Sequence, residues 1–181
     1  MEKQRILGLV GGISKNSINQ KLFDFFKGLA EDRMDIVQFD IKTLPFYCQD
    51  IEYNPPAEVK SLKDMIKSSD GLLIVTPEYN RSFPGVLKNA LDWGSRPSGE
   101  NSWNRMPAGV IGTSPGAIGT FGAQSQLRQV LNLLNVRTMN QPEFYLSFPK
   151  ELPDNRLPEP SLAFLRKYVD AFCDWIRSNK S

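Results

Sequence analysis

Residues 6–19 read ILGLVGGISKNSIN, and they join a predicted buried strand to a predicted helix. The strand is the apolar run from Ile6 to Val10, and the helix begins near Ile18 after a turn of small and polar residues. A short run that is apolar at every position is typical of a strand covered on both faces. This stretch is therefore one strand-turn-helix unit of a sheet with parallel strands.

The same unit recurs along the chain. Apolar runs predict further strands at 36–39, 72–75 and 110–112, and a weaker one at 136–139. Apolar side chains at helical spacing predict the intervening and final helices: Ile18, Leu22, Phe25, Phe26 and Leu29; Val59, Leu62 and Ile66; Val86, Leu87, Ala90 and Leu91, after Pro84; Leu127, Val130, Leu131 and Leu134; Leu162, Leu165, Val169, Phe172 and Ile176. Five such units predict an α/β fold, a flavodoxin-like three-layer sandwich. Its five-stranded parallel sheet has the order 2-1-3-4-5 and helices on both faces.

Composition restricts the chemistry that the chain can perform. The 181 residues suit one domain spanning 1–181. Histidine is absent, which excludes Ser-His and Cys-His nucleophile systems and imidazole zinc sites. The two cysteines lack metal-ligand spacing and favour a reduced, cytosolic chain, so no metal site is predicted. If the protein is an enzyme, a cofactor supplies the difficult chemistry.

Charge and hydropathy argue against two classes of partner. There are 22 Lys and Arg residues against 20 Asp and Glu residues, without a basic block of the kind that nucleic-acid binders carry. No apolar run approaches the roughly 20 residues of a transmembrane helix, and the first residues do not resemble a signal peptide. We therefore expect a cytoplasmic protein with no membrane or nucleic-acid partner.

The turn after the first strand is a candidate phosphate site. Free backbone N–H groups and the positive end of the helix dipole favour an anion, and serine, asparagine and lysine side chains add donors. The alternative is a plain strand-to-helix turn with Ser17 as the N-cap. The G-x-G-x-x-G and P-loop signatures are absent, which disfavours a Rossmann dinucleotide domain and a P-loop NTPase. The candidate residues are Gly12, Ser14, Lys15, Asn16, Ser17, Ile18 and Asn19.

The loop after the third strand is a candidate site for a planar ligand edge. Residues 76–93 read TPEYNRSFPGVLKNALDW, and Pro77 and Pro84 restrict the backbone. The amides of residues 78–80 can then be held facing ring heteroatoms. The candidate residues are Pro77, Glu78, Tyr79 and Asn80. Two alternatives are a rigid loop in which Tyr79 merely packs and, more weakly, a Glu78–Asp92 acid/base pair.

The loop after the fourth strand contains three glycines in the sequence TSPGAIGTFG at 113–122. Glycines allow the backbone to approach a ligand closely. Such a loop alone is weak evidence, but it is the third one at the sheet edge where this topology binds ligands. The candidate residues are Ser114, Pro115 and Gly116.

Three features together resemble the NADPH-dependent FMN reductase family: the first loop with Ser17 and Asn19, the TPEYN run continuing to PGVLKNALDW, and the SPG loop followed by LRQ at 127–129. The similarity extends from about Ile6 to Glu143. It implies that FMN binds with its phosphate at residues 14–19 and its ring against 77–80, with 114–116 nearby. The family commonly has Gly-Ser-x-Arg where this chain has Gly11-Gly12-Ile13-Ser14. Either Lys15 or backbone amides compensate, or FMN binds weakly and exchanges.

The resemblance also implies an activity. NADPH would pass hydride through FMN to a small acceptor such as a quinone, azo compound, flavin or metal oxyanion, and no side chain is assigned as catalytic. The alternatives are a flavodoxin-type electron carrier without NADPH oxidation, which the near-neutral charge disfavours, and a flavin-binding regulatory module. Arg81 either contacts NADPH or the acceptor or is simply solvated.

The resemblance implies a homodimer or a homotetramer. Five aromatic residues in or beside the two long loops could form a partner surface, although core packing explains any one of them equally well. These residues are Phe46, Tyr47, Tyr53, Trp93 and Trp103.

Overall fold

The sheet has the predicted strand order. A computed structural model describes residues 2–147 and 156–179. The strands are β1 (Gln4–Val10), β2 (Met34–Phe39), β3 (Gly71–Val75), β4 (Pro107–Ser114), β5 (Arg137–Thr138) and β6 (Phe144–Ser147). The helices are α1 (Ile18–Ala30), α2 (Ala57–Lys67), α3 (Gly85–Gly94), α4 (Phe121–Leu133) and α5 (Glu159–Asn179). All strand pairs are parallel, in the order β2-β1-β3-β4-β5, so the predicted flavodoxin-like topology is confirmed.

The fifth strand position differs from the prediction of one strand at 136–139. It is filled by two short strands, because β5 pairs with the first part of β4 and β6 pairs with residues 111–114 of the same strand. Pro142 lies between them and has no N–H to donate to a sheet ladder, which breaks the strand. The run FYLS at 144–147 was too short to stand out in the sequence.

Two apolar layers hold the helices against the two faces of the sheet. Alternate residues of β1 point to opposite layers: Ile6 packs with α1 and α5, whereas Leu7 packs with α2, α3 and α4. The predicted helical stripes form these layers, for example Phe26 of α1, which lies 5.8 Å from Phe172 of α5 between ring centroids. Within the described residues, no helix has both the length and the apolar content required to span a membrane.

Two of the five loop aromatics do not form a partner surface. Trp93 and Trp103 are 1% and 0% exposed, and their indole N–H groups donate to Pro45 O (2.8 Å) and Leu91 O (2.9 Å). The long loops fold back over the sheet, so these rings complete the core. Phe46 and Tyr53 remain 86% and 81% exposed.

Candidate functional site

The three candidate loops meet around one open cavity of about 710 Å³ beyond the carboxyl ends of β1, β3 and β4. It is lined by Ser14, Asn16, Ser17, Ile18, Asn19, Lys21, Pro77, Glu78, Tyr79, Thr113, Ser114 and Pro115. Of the other predicted residues, Gly12 and Lys15 line a neighbouring cavity of about 430 Å³ and Asn80 lines one of about 490 Å³. Gly116 lies exposed on the adjoining loop.

The N-terminus of α1 forms one end of the cavity and is suited to an anion. Ser17 is the N-cap, with its Oγ accepting from Gln20 N at 3.2 Å. The first turn contains no acidic residue, and within the described chain no hydrogen bond uses the amides of Ile18 and Asn19. These donors and the helix dipole face the cavity end, which gives it a positive potential.

Gly12 shapes this end of the cavity instead of lining it. A Cβ atom at this position would overlap Ser17 Oγ. The tight approach of the loop to the N-cap therefore requires glycine here.

Asn19 was expected to offer its side-chain donor to the ligand, and the structure corrects this. Its Nδ2 donates to Thr113 O at 2.9 Å and its Oδ1 accepts from Thr113 N at 3.0 Å. The side chain is 2% exposed and fastens α1 to the end of β4. Only the backbone N–H of Asn19 is left for a ligand.

Residues 79–82 form a tight hairpin beside the cavity. Tyr79 N donates to Ser82 O and Ser82 N donates to Tyr79 O, both at 2.9 Å. Asn80 and Arg81 occupy the turn with φ of 51° and 67°, as a type I′ turn requires. The expectation that the Tyr79 amide faces a ligand is therefore wrong, because the hairpin uses it. No hydrogen bond within the described chain uses the Asn80 amide.

Glu78 anchors this hairpin to α4. Its Oε2 accepts from Ala123 N at 3.0 Å, and its Oε1 lies 3.0 Å from Arg81 Nη1. The Glu78 side chain is only 7% exposed, whereas that of Arg81 is 71% exposed. Asp92 pairs instead with Lys88 at 2.7 Å, so the geometry gives no support to a Glu78–Asp92 acid/base pair.

The third loop is fixed by its own turn. Ser114 Oγ donates to Gly119 O at 2.5 Å and accepts from Gly116 N at 3.3 Å. Gly119 has φ of 58°, and a Cβ there would press on the backbone of Tyr145 and Leu146. The conformation of this loop is therefore fixed by its own contacts, and Ser114 and Pro115 of the loop line the cavity.

The arrangement fits a flat molecule that carries a phosphate. The lining of the cavity includes the N-terminal turn of α1, with backbone donors and the helix dipole, together with Pro77 and the half-exposed ring of Tyr79. Its volume is ample for a cofactor of that kind. The carboxylate at the cavity, Glu78, is already paired, which suits chemistry supplied by a cofactor.

Comparison with known proteins gives the family. A family model described as NADPH-dependent FMN reductase matches residues 4–151. The chain belongs to this family. The predicted flavin-dependent NAD(P)H oxidoreductase is thereby confirmed over an electron carrier of the flavodoxin type.

Individual relatives of the chain carry names that agree with this family assignment. The chain is 42% identical to a 2-hydroxy-1,4-benzoquinone reductase from Burkholderia sp, covering 97% of this chain and 98% of the relative. It is also 42% identical to a quinone reductase from Pseudomonas putida, covering 96% and 95%. Among solved structures, the flavoenzyme NAD(P)H:(acceptor) oxidoreductase (FerB) from Paracoccus denitrificans is 41% identical, with a TM-score of 0.93 over 98% of this chain and 100% of that one.

Three residues at or beside the site were not predicted from the sequence. Thr113 and Lys21 line the cavity, and Gln126 of α4 bonds to the hairpin. Thr113 directly precedes a predicted residue, and Lys21 lies one helical turn beyond Ser17, so both could have been found from spacing. Gln126 could not, because its partners are more than 40 residues away along the chain.

Proposed function

We propose that residues 1–181 form one FMN-binding domain that uses NADPH to reduce a neutral quinone. The observation that carries this proposal is the single cavity that combines an anion-binding helix terminus with a flat apolar wall, in a member of the FMN reductase family. FMN supplies a two-electron centre that accepts hydride from nicotinamide and passes it on.

The first loop would hold the FMN phosphate. The amides of Ile18 and Asn19 and the hydroxyl of Ser14 supply neutral donors, and Lys15 supplies a charge close by. The two amides belong to the first turn of α1, which Ser17 caps, so little ordering entropy is lost for these groups on binding. This supports retention of FMN despite the missing Gly-Ser-x-Arg pattern.

The second and third loops would hold the ring. Pro77 and Tyr79 supply an apolar surface that excludes water. Within the hairpin, Asn80 has an amide that no hydrogen bond of the described chain uses, and Asn80 lines the adjoining 490 Å³ cavity, so this amide would serve a ring heteroatom at the boundary of the two cavities. Ser114 and Pro115 close the opposite wall. A donor fixed before the ligand arrives stabilises negative charge on the ring without reorganisation.

The acceptor would lie in the neighbouring cavity of about 490 Å³. Tyr79 lines both cavities, which places them side by side. The neighbouring cavity is lined by Gly11, Ile13, Tyr79, Asn80, Ser82, Phe83, Pro84, Gly85 and Val86. This lining contains no acidic or basic side chain, so it favours a neutral planar acceptor over a metal oxyanion. The names of the relatives as quinone reductases agree with this choice.

Titration of purified protein with FMN, followed by steady-state kinetics with NADPH and a benzoquinone, tests the proposal. We expect saturable FMN uptake with a shifted flavin spectrum. Because both substrates would use the same exposed ring face, double-reciprocal plots should give parallel lines. Absence of uptake at millimolar FMN, or NADPH oxidation no faster than with free FMN, would contradict the proposal.

Arg81 would contact NADPH or the electron acceptor only at the outer edge of the site. Its guanidinium is mostly exposed and is held by Glu78. We propose that it meets the 2′-phosphate of NADPH or the acceptor there.

We further propose that the protein is a cytoplasmic homodimer or homotetramer. Exposed apolar side chains lie on the three loops or directly after them: Tyr79, Phe121, Ile118 and Ile13 are 55%, 52%, 47% and 45% exposed. Grouped exposed apolar residues are typical of interfaces. Light scattering at micromolar protein should give two or four times the monomer mass of 20.5 kDa, and a monomer would contradict this proposal.

A further inference from the structure

Gln126 joins α4 to two consecutive residues of the hairpin at residues 79–82, Arg81 of the turn and Ser82 of the second strand. Its Nε2 donates to Arg81 O at 3.0 Å, and its Oε1 accepts from Ser82 Oγ at 2.7 Å. Gln126 does not line the 710 Å³ cavity or the 490 Å³ cavity. Its two hydrogen bonds to the hairpin are therefore a direct route by which it can influence a ligand in either cavity.

The hairpin needs such an external contact. Arg81 has φ of 67°, a backbone conformation that is unfavourable for residues with a Cβ atom. Asn80 tolerates this region better. In addition, a hairpin held by a single pair of backbone hydrogen bonds is only marginally stable by itself. The α4 contacts, through Gln126 and through Glu78 to Ala123 N, hold the turn against that helix.

The hairpin carries the two groups with which the proposed ring site works. Tyr79 lines both cavities, Asn80 lines the 490 Å³ cavity, and no hydrogen bond within the described chain uses the Asn80 amide. We propose that Gln126 is a positioning residue for the flavin, holding Tyr79 and the Asn80 amide in their binding geometry. This inference rests on the proposed function.

Gln126→Met tests the inference, because methionine keeps the length of the side chain and removes both hydrogen bonds. Gln129→Met is the matched control: Gln129 lies on the same helix, is exposed, and its side chain makes no hydrogen bond to another described residue. Hydrogen exchange of the Tyr79 and Ser82 amides is measured in protein without FMN. FMN affinity, the flavin absorption maximum, kcat and KM are then measured with it.

We expect Gln126→Met to speed exchange of both amides and to weaken FMN binding, each by about tenfold, because two net hydrogen bonds are lost. The flavin absorption maximum should shift and kcat should fall more than KM changes, whereas Gln129→Met should match the wild type.

Three results would overturn the inference, and they can be told apart. Equal behaviour of the two methionine variants would show that the contact has no effect. Faster exchange with unchanged FMN affinity, spectrum and kcat would make Gln126 structural only. Absence of FMN uptake by the wild type would overturn the proposed function and this inference with it, while the exchange data would still report on the hairpin contact.

Discussion

We expect Asn19→Asp to lower the free energy of unfolding by at least about 3 kcal/mol at pH 7. The wild-type amide donates to Thr113 O and accepts from Thr113 N in a site where Asn19 is 2% exposed. A carboxylate of the same shape cannot donate, so it faces the Thr113 carbonyl as a buried, repelled charge. Unfolding in urea, followed by circular dichroism, measures the loss.

The same variant should show a characteristic pH dependence. Burial and the facing Thr113 carbonyl raise the pKa of the new carboxyl in the folded state by more than the N-terminus of α1 lowers it, so the folded protein binds the extra proton more readily than the unfolded chain does. The protonated group can again donate to Thr113 O. The deficit relative to the wild type should therefore shrink as pH falls toward the pKa of the folded state. A deficit that is absent at pH 7, or that grows on acidification, would show that the Asn19–Thr113 contact is not as described.

The strands were predictable because all but the fifth contain a short, mainly apolar run followed by a helical stripe, and β2, with Gln38 inside its run, is the weakest of these. Residues 6–10 and 72–75 are buried on both faces, and a central parallel strand requires that pattern. The edge strand was not predictable in the same way. It divides around Pro142, and its second half, residues 144–147, alternates between buried and partly exposed positions.

The topology predicted which loops form the site, but it did not predict which atoms of those loops are free to bind a ligand. Three polar loops at the ends of β1, β3 and β4 had to converge, because parallel strands end at the same edge. Which groups remain free for a ligand depends on contacts between residues distant in sequence. The side chain of Asn19 is hydrogen-bonded to the backbone of Thr113, and the carboxylate of Glu78 is bonded to Ala123 N and paired with Arg81. The Tyr79 amide is taken by a local hairpin that depends on an unusual turn, with arginine at a positive φ.

Asn16→Asp should act on the cofactor and leave the fold intact. Asn16 is exposed, lines the cavity and lies three residues before Asn19, so the same isosteric change places a negative charge beside the proposed phosphate site. Repulsion of a phosphate dianion at a distance of a few ångström should weaken FMN binding by at least about tenfold, with a smaller effect at high salt. Urea unfolding should match the wild type, because a carboxylate near a helix N-terminus is not destabilising.

Riboflavin provides the control within the same protein, because it has the ring of FMN without the phosphate. Asn16→Asp should leave riboflavin affinity unchanged, so the preference for FMN over riboflavin should fall by the same factor as the FMN affinity. Asn54→Asp adds an equal charge at an exposed position that does not line the cavity, and it should change neither affinity. Equal losses for FMN and riboflavin would place the ring, and not the phosphate, at the N-terminus of α1. An unchanged FMN affinity would remove the phosphate from this loop altogether.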